Sequence, residues 1–296
     1  MSFRKIIVLG AGAIGSSYGA LLSRKNDVTF VGNKAHVDMV NSNGLLVEGD
    51  VKGRFSVKAV VDVREIPSGA LILLTTKAQD MVEALNEIKS LLKRDTVIFA
   101  LQNGLAIKQT VQKFVGREIE VVRGLVLSAA EFLEPGRIRF WKGPTIVERT
   151  KMGEEIATLL RKSRMEVTVT EDMEREEWNK LVVNCVINPL TAVLRVRNNE
   201  IGANSLKMIR HSVVEECVRV GEAEGVNFNS DLRTDIDRKI RGYSNLSSMC
   251  QDIMKGKKTE IEFLNGKIVE LGRKYGVSTP VNATLVSLIK FMEAKT

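Results

Sequence analysis

Histidine is nearly missing from this chain of 296 residues, which has only His36 and His211. His-based catalytic triads and zinc clusters therefore lack their parts. Cysteine is equally scarce: Cys185, Cys217 and Cys250 form no CxxC pair and leave one over, so neither a disulfide scaffold nor a metal site is indicated. Aromatic residues make up 5 %, too few for a base-stacking platform. The 44 Lys and Arg exceed the 36 Asp and Glu by a net +8, but the basic residues are scattered, Lys255-Gly256-Lys257-Lys258 being the densest group. A nucleic-acid partner is not expected from that pattern. No apolar run approaches the ~18 residues of a membrane span. The opening MSFRKIIVLGAGAIG enters a strand directly, so a cytoplasmic protein without membrane contact is expected.

What the chain does have is 44 % apolar residues and a length suited to two domains. Up to residue 170, short β-branched runs at 5–9, 28–31, 55–60, 70–75 and 96–100 alternate with helical patterns at 13–25 and 78–92. Strand, helix, strand in succession implies a parallel sheet. Further strands are expected at 121–127, 137–141 and 144–147, with Glu134-Pro135-Gly136 as the turn between the first two. A helix at 153–162 and a strand at 166–169 follow. From residue 171 the pattern turns helical, with segments at 173–193, 200–224, 230–241, 247–255, 259–275 and 279–294. The expected fold class is α/β: an N-terminal Rossmann-type dinucleotide-binding domain over residues 1–170 and an all-helical C-terminal domain over 171–296. The long helices could support a homodimer.

Gly10-Ala11-Gly12-Ala13-Ile14-Gly15 follows an apolar strand and opens a helix, the context a dinucleotide site requires. Gly10 allows a tight turn, Gly12 lets a pyrophosphate approach the backbone, and Gly15 and Gly19 allow close helix–strand packing. The amides at the helix start, Ala13 and Ile14 among them, then face the phosphates. The second strand ends in Asn33-Lys34, where an NAD enzyme usually presents an acid to the ribose. Asn33 can donate to a phosphate and Lys34 can pair with it, which favours NADPH, with NADH as the second candidate. Lys77 and Asn103 each stand just past a strand, at the rim where parallel sheets hold ligands; turn chemistry is the alternative for either.

The helix WNKLVVNCVINPLT carries Lys180, Asn184, Asn188 and Thr191 within one quadrant, at about 100° per residue, of an otherwise apolar surface. Such a stripe is either solvated or lines a polar pocket. Asn is a poor helix former and gains little on a solvated face, where long charged residues are usual. Further on, Asn245 and Ser248 lie three apart at a helix start, where capping by Ser247 or Asn245 competes with ligand binding. Thr259-Glu260-Ile261-Glu262 has the form of a capping box, which gives Glu262 a structural task and leaves Glu260 in the first turn without one.

Together the glycine loop, Lys77, Gln102-Asn103-Gly104, the Lys180/Asn184/Asn188 helix with its NPLTA continuation, and Ser247-Ser248-Met249 leading to Thr259-Glu260-Ile261 resemble the ketopantoate reductases. The resemblance spans nearly the whole chain and implies NADPH-dependent reduction of 2-dehydropantoate to pantoate, on the route to pantothenate and coenzyme A. It implies Lys180 and Glu260 as the catalytic residues, Lys180 as general acid and Glu260 holding the substrate's terminal hydroxyl. Asn184 and Asn188 would position the lysine and the substrate, Ser248 would bind the substrate carboxylate with help from Asn245, and Asn103 and Lys77 would stand at the nicotinamide and substrate end. The chain departs from the family at Asn33-Lys34, where many members carry Arg. A relative acting on another 2-oxo acid or an imine, or an NADPH-sensing protein without turnover, are the other readings.

Overall fold

The computed structural model describes residues 3–228 and 230–295, which fall into two compact units. The first takes in the chain up to Gln102 together with Ala106–Met173; the second comprises Asn103–Leu105 and Glu174–Thr296. Among the described residues no helix is long and apolar enough to cross a membrane.

Twelve strands build the first unit: β1 (Lys5–Leu9), β2 (Val28–Val31), β3 (Leu45–Gly49), β4 (Gly53–Phe55), β5 (Lys58–Val60), β6 (Ala70–Leu74), β7 (Val97–Ala100), β8 (Glu120–Val126), β9 (Ala129–Glu134), β10 (Arg137–Trp141), β11 (Thr145–Glu148) and β12 (Val167–Thr170). Eight of them form one sheet in the order β12-β11-β8-β7-β6-β1-β2-β5, parallel except where β11 meets β8. Its central strands are buried on both faces, which explains their unbroken apolar runs, such as Ala70–Leu74. From β1 the chain proceeds outward through β2 to β5, then returns to lay β6, β7 and β8 on the other side. The order therefore reverses between β1 and β6, and at such a switch point the crevice beyond the strand ends is open to a ligand. This is the Rossmann-type arrangement.

Helices α1 (Ala13–Ser23), α2 (Lys34–Asn43), α3 (Met81–Ile88), α4 (Ile107–Val115) and α5 (Lys151–Lys162) complete the unit. α1 packs between β2 and a second sheet, ordered β4-β3-β10-β9, that the sequence did not announce. The run at 55–60, expected as one strand, is two: β4 pairs with β3 in the small sheet and β5 with β2 in the large one. β9 carries no buried residue, so its AAEFLE lacks the alternation that marks a half-buried strand. Pro135 and Gly136 turn the chain from β9 into β10, not from β8 as expected.

The second unit is helical in its described residues: α6 (Met173–Leu194), α7 (Lys207–Ala223), α8 (Leu232–Arg241), α9 (Ser248–Met254), α10 (Asn265–Tyr275) and α11 (Pro280–Glu293). Its core gathers Trp178, Val182, Val186, Val213, Val220, Ile236, Ile268 and Ile289. Pro189 lies inside α6 and has no amide hydrogen, so the Cys185 carbonyl loses its helical donor. The buried Asn265 supplies one instead, Nδ2 to Cys185 O at 2.9 Å, and also donates to Asn282 Oδ1 at 2.8 Å. Asn282 in turn donates to Glu216, whose carboxylate accepts the Val281 and Asn282 amides at 2.8 and 2.9 Å. A proline break in α6 is thus made good by a polar chain through three other helices.

The expected capping box at Thr259 is not formed. Thr259 Oγ1 accepts from the amide of Ile261, Glu262 pairs with Lys290, and residues 261–263 make a 3₁₀ turn before α10 begins at Asn265. The cause is Leu264, whose non-helical φ and ψ separate the two elements.

Candidate active site

Between Leu9 and Ala13 the turn is made by Gly10-Ala11-Gly12. Gly10 has φ +100°, and a Cβ there would stand 2.5 Å from the Thr76 amide nitrogen, so neither conformation nor space admits a side chain. At Gly15 a Cβ would press on the Gly10 carbonyl and lie 2.5 Å from Thr75 Oγ1, and at Gly19 it would enter the Phe30 ring. Gly12 differs, because nothing lies within 4 Å of the same addition. It is the N-cap of α1 and no side chain caps that helix. Gly10, Gly15 and Gly19 are thus required by the fold, whereas the bare backbone at Gly12 leaves an open cradle before the helix start at Ala13 and Ile14. The positive end of α1 faces this space, and the residues present fit a dinucleotide pyrophosphate.

At the end of β2, Asn33 caps α2, its Oδ1 accepting from the His36 amide at 3.0 Å. Lys34 opens α2 and pairs with Asp38 at 2.8 Å, with both side chains largely exposed. His36 stands in the first turn of α2 and is fully buried. Its Nδ1 accepts the Gly136 amide at 3.0 Å, and its Nε2 lies 3.1 Å from Ser16 Oγ, which itself donates to the Ala11 carbonyl. With Nδ1 accepting, Nε2 carries the proton and donates to Ser16. Burial pushes this imidazole down to about 4. Lys77 is half-buried just beyond β6, where it precedes a 3₁₀ turn at Ala78–Asp80.

In the second unit Lys180 and Asn184 are half-buried on α6 and Asn188 is buried on the same helix. Thr191, the last member of the stripe, donates to the Ile187 carbonyl at 2.7 Å and lies 2.6 Å from Ser247 Oγ. That contact joins α6 to the start of α9, where Ser247 Oγ also accepts the Cys250 amide at 3.1 Å. Ser247 is therefore the cap, and Ser248 beside it is left exposed in the first turn of α9. Asn245 is half-buried, with Nδ2 donating to the Leu246 carbonyl at 3.0 Å.

Glu260 is only 8 % exposed. Asn103, which belongs to this unit although it follows β7 in the chain, donates from Nδ2 to Glu260 Oε2 at 2.9 Å. Two residues singled out separately, 157 positions apart, thus meet in one hydrogen bond. A buried carboxylate held by an amide donor is an anionic acceptor of the kind that receives a hydroxyl. Cys185, behind the stripe, is fully buried, and burial pushes its thiol up, as befits a core residue. Among the described residues no cluster of three or more His, Cys, Asp or Glu could hold a metal ion.

The first unit also buries a charge that sequence reasoning does not single out. Arg123, in the strand EVVRGLV, is 1 % exposed and donates to three main-chain carbonyls near the end of β7. The signal was a charge in the middle of the apolar run that follows Glu120 in this strand.

Residues 6–155 match the family model described as ketopantoate reductase PanE/ApbA, and residues 172–293 match that of its C-terminal region. A 2-dehydropantoate 2-reductase from Pyrococcus horikoshii is 35 % identical, over 98 % of each chain. Among solved structures, a PanE/ApbA family ketopantoate reductase from Ralstonia eutropha superposes with a TM-score of 0.90 at 29 % identity, covering 98 % of this chain and 99 % of that one. The ternary structure of D-mandelate dehydrogenase with NADH and anilino(oxo)acetate gives 0.88 at 26 % identity, with the same coverage. With both its units matched and a relative above 30 % identity along its whole length, this chain belongs to the ketopantoate reductase PanE/ApbA family.

Proposed function

We propose that this protein is an NADPH-dependent 2-dehydropantoate 2-reductase, which reduces ketopantoate to pantoate for pantothenate and coenzyme A synthesis. The single observation that carries the reading at the level of residues is the buried Glu260 carboxylate held by Asn103, a receptor for a substrate hydroxyl in the same unit as the Lys180 stripe. A nicotinamide cofactor held at the glycine loop would supply the hydride for the C2 carbonyl carbon. As that carbon accepts the electron pair, its oxygen gains negative charge, and the Lys180 ammonium stabilises the alkoxide and gives it a proton. Asn184 and Asn188, one and two turns along α6, orient the lysine and substrate through neutral hydrogen bonds and so leave its charge intact. The substrate carboxylate is received by the Ser248 hydroxyl at the N-terminal end of α9, with Asn245 beside it, and the terminal hydroxyl donates to Glu260.

The glycine loop, with Gly10, Gly12 and Gly15 shaping the turn and the amides of Ala13 and Ile14 facing the phosphates, holds the pyrophosphate. Asn33 and Lys34 receive the 2′-phosphate. Asn33 Nδ2 remains a donor after Oδ1 has capped α2, and the exposed Lys34–Asp38 pair, worth at most about 1 kcal/mol, yields easily to a phosphate. Lys77 and Asn103 serve the nicotinamide end.

A second reading, reduction of a 2-oxo acid with an apolar side chain, is favoured by the likeness to D-mandelate dehydrogenase. Glu260 separates the two, since a carboxylate in that position gains nothing from an apolar substituent. The deciding experiment follows oxidation of NADPH and of NADH with ketopantoate and with 2-oxo acids lacking the terminal hydroxyl. Fast turnover selective for ketopantoate supports the proposal, and preference for the hydroxyl-free acids overturns it in favour of the second reading.

A further inference from the structure

Arg123 is the least exposed charged residue in the first unit, and a guanidinium enclosed in protein is unfavourable unless its donors are engaged. Its position is set by the β7–β8 register, which places Arg123 opposite Ala100 at the end of β7. From there Nη1 donates to the carbonyls of Ala100 and Gly124 at 2.9 and 2.6 Å, and Nη2 donates to the Gln102 carbonyl at 2.9 Å. The strand beneath is held as well: the Arg123 amide donates to Glu148 Oε2, and that carboxylate is paired with Lys108 at 2.6 Å. Past Ala100 the ladder of the sheet runs out. The Leu101 amide still reaches the Leu74 carbonyl at 3.1 Å, and the next carbonyl to be held is that of Gln102, by Arg123.

That carbonyl belongs to the peptide that joins Gln102 to Asn103. A planar guanidinium fork gripping the carbonyls of residues 100 and 102 fixes the plane of this peptide. Only the dihedrals of Asn103 itself then separate the clamp from the carboxamide that donates to Glu260. The Gln102 side chain is buried in the same place, with Nε2 at 3.5 Å from Thr76 Oγ1.

We infer that Arg123 is a positioning residue of the reaction, which clamps the Gln102–Asn103 peptide and so aims the Asn103 carboxamide at Glu260; this rests on the function proposed above. Lysine at this position keeps the charge and loses the fork. The test is a double-variant cycle of R123K and N103A on ketopantoate reduction, with NADPH affinity and amide hydrogen exchange measured on the same proteins. R123K is expected to lower kcat about 30-fold through misplacement alone, with the dissociation constant of NADPH changed less than about 3-fold. In the N103A background the same change is expected to lower kcat less than about 3-fold further, because the residue it acts through is already gone. Independent, multiplying losses, or an unchanged kcat in R123K, overturn the inference. If R123K does not melt cooperatively, R123Q, which keeps a shorter amide donor, takes its place in the cycle. Should the wild-type protein reduce no 2-oxo acid, the function proposal fails, and the clamp is judged by exchange alone. Faster exchange confined to residues 101–105 in R123K then upholds the tether, and unchanged protection there refutes it.

Discussion

On the function proposed above, the two units meet their ligands with different parts of the polypeptide. In the first, the groups offered to the pyrophosphate are main-chain amides at a glycine turn and a helix start, and only the ends of the cofactor are left to the side chains of Asn33, Lys34 and Lys77. In the second, the groups offered are side chains: a lysine and two asparagines on α6, a serine at the start of α9 and a carboxylate before the 3₁₀ turn. A backbone site is governed by sterics and tolerates any side chain that leaves the loop's shape alone. A side-chain site is governed by functional groups and tolerates no change in them. The first arrangement suits a cofactor shared by many enzymes, and the second suits a single substrate.

The largest expected effect breaks the second kind of site while sparing the first. Lys180→Ala should lower kcat by about 1,000-fold or more, as removal of a proton donor and alkoxide partner does. NADPH affinity, measured by quenching or energy transfer from the protein, should stay within about 3-fold, since the pyrophosphate is bound elsewhere by amides. Near wild-type turnover would remove Lys180 from the chemistry.

Within the glycine loop the contrast can be sharpened by one methyl group. Gly15→Ala drives a Cβ into the Gly10 carbonyl and Thr75, so a loss of about 2–3 kcal/mol in unfolding free energy is expected from overpacking. Gly12→Ala meets no protein atom within 4 Å and should leave denaturant midpoints unchanged, yet weaken NADPH binding about 10-fold by filling the cradle. Equal destabilisation in the two variants would show that Gly12 is structural.

Glu260→Ala tests whether the second site discriminates by hydroxyl. Loss of a hydrogen bond to a charged acceptor is expected to raise KM for ketopantoate roughly 10- to 100-fold. The same change should leave KM for a 2-oxo acid without the terminal hydroxyl nearly unaltered. Parallel increases for both substrates would mean that Glu260 acts only by holding Asn103.

The contrast also explains what could be read in the sequence. The glycine loop is legible because steric demands admit one residue type, and Gly10, Gly15 and Gly19 show those demands in three dimensions. The α6 stripe is legible because polar residues at helical spacing contradict an apolar helix. The small sheet was not, since β9 carries no buried residue and fails to alternate, and β4 is only three residues long. Glu262 was misread because a capping box needs a continuous helix, and Leu264 interrupts it. Arg123 and His36 escaped because their roles depend on partners far along the chain: Ala100 and Gln102 for one, Gly136 for the other.

His36 gives the smallest effect and the one that bears on how the backbone site keeps its shape. In the native state it is neutral, its imidazole pushed from 6.5 down to about 4 by burial, with Nδ1 accepting from Gly136 and Nε2 bonded through Ser16 to the Ala11 carbonyl of the glycine loop. The unfolded chain takes up a proton near pH 6.5 and the folded one near pH 4. Unfolding therefore binds protons between these values, and stability must fall as the pH drops through that window, levelling off below pH 4. The shift from 6.5 to about 4 sets the share of His36 at no more than about 3 kcal/mol, read as the difference in pH dependence of denaturant midpoints between the wild type and His36→Gln. Because protonation of the folded protein would also evict the Gly136 amide from Nδ1, NADPH affinity should weaken in the wild type only as the pH falls to about 4, and not in the variant. Parallel pH profiles in the two proteins would leave the imidazole a packing element, with no part in holding the loop.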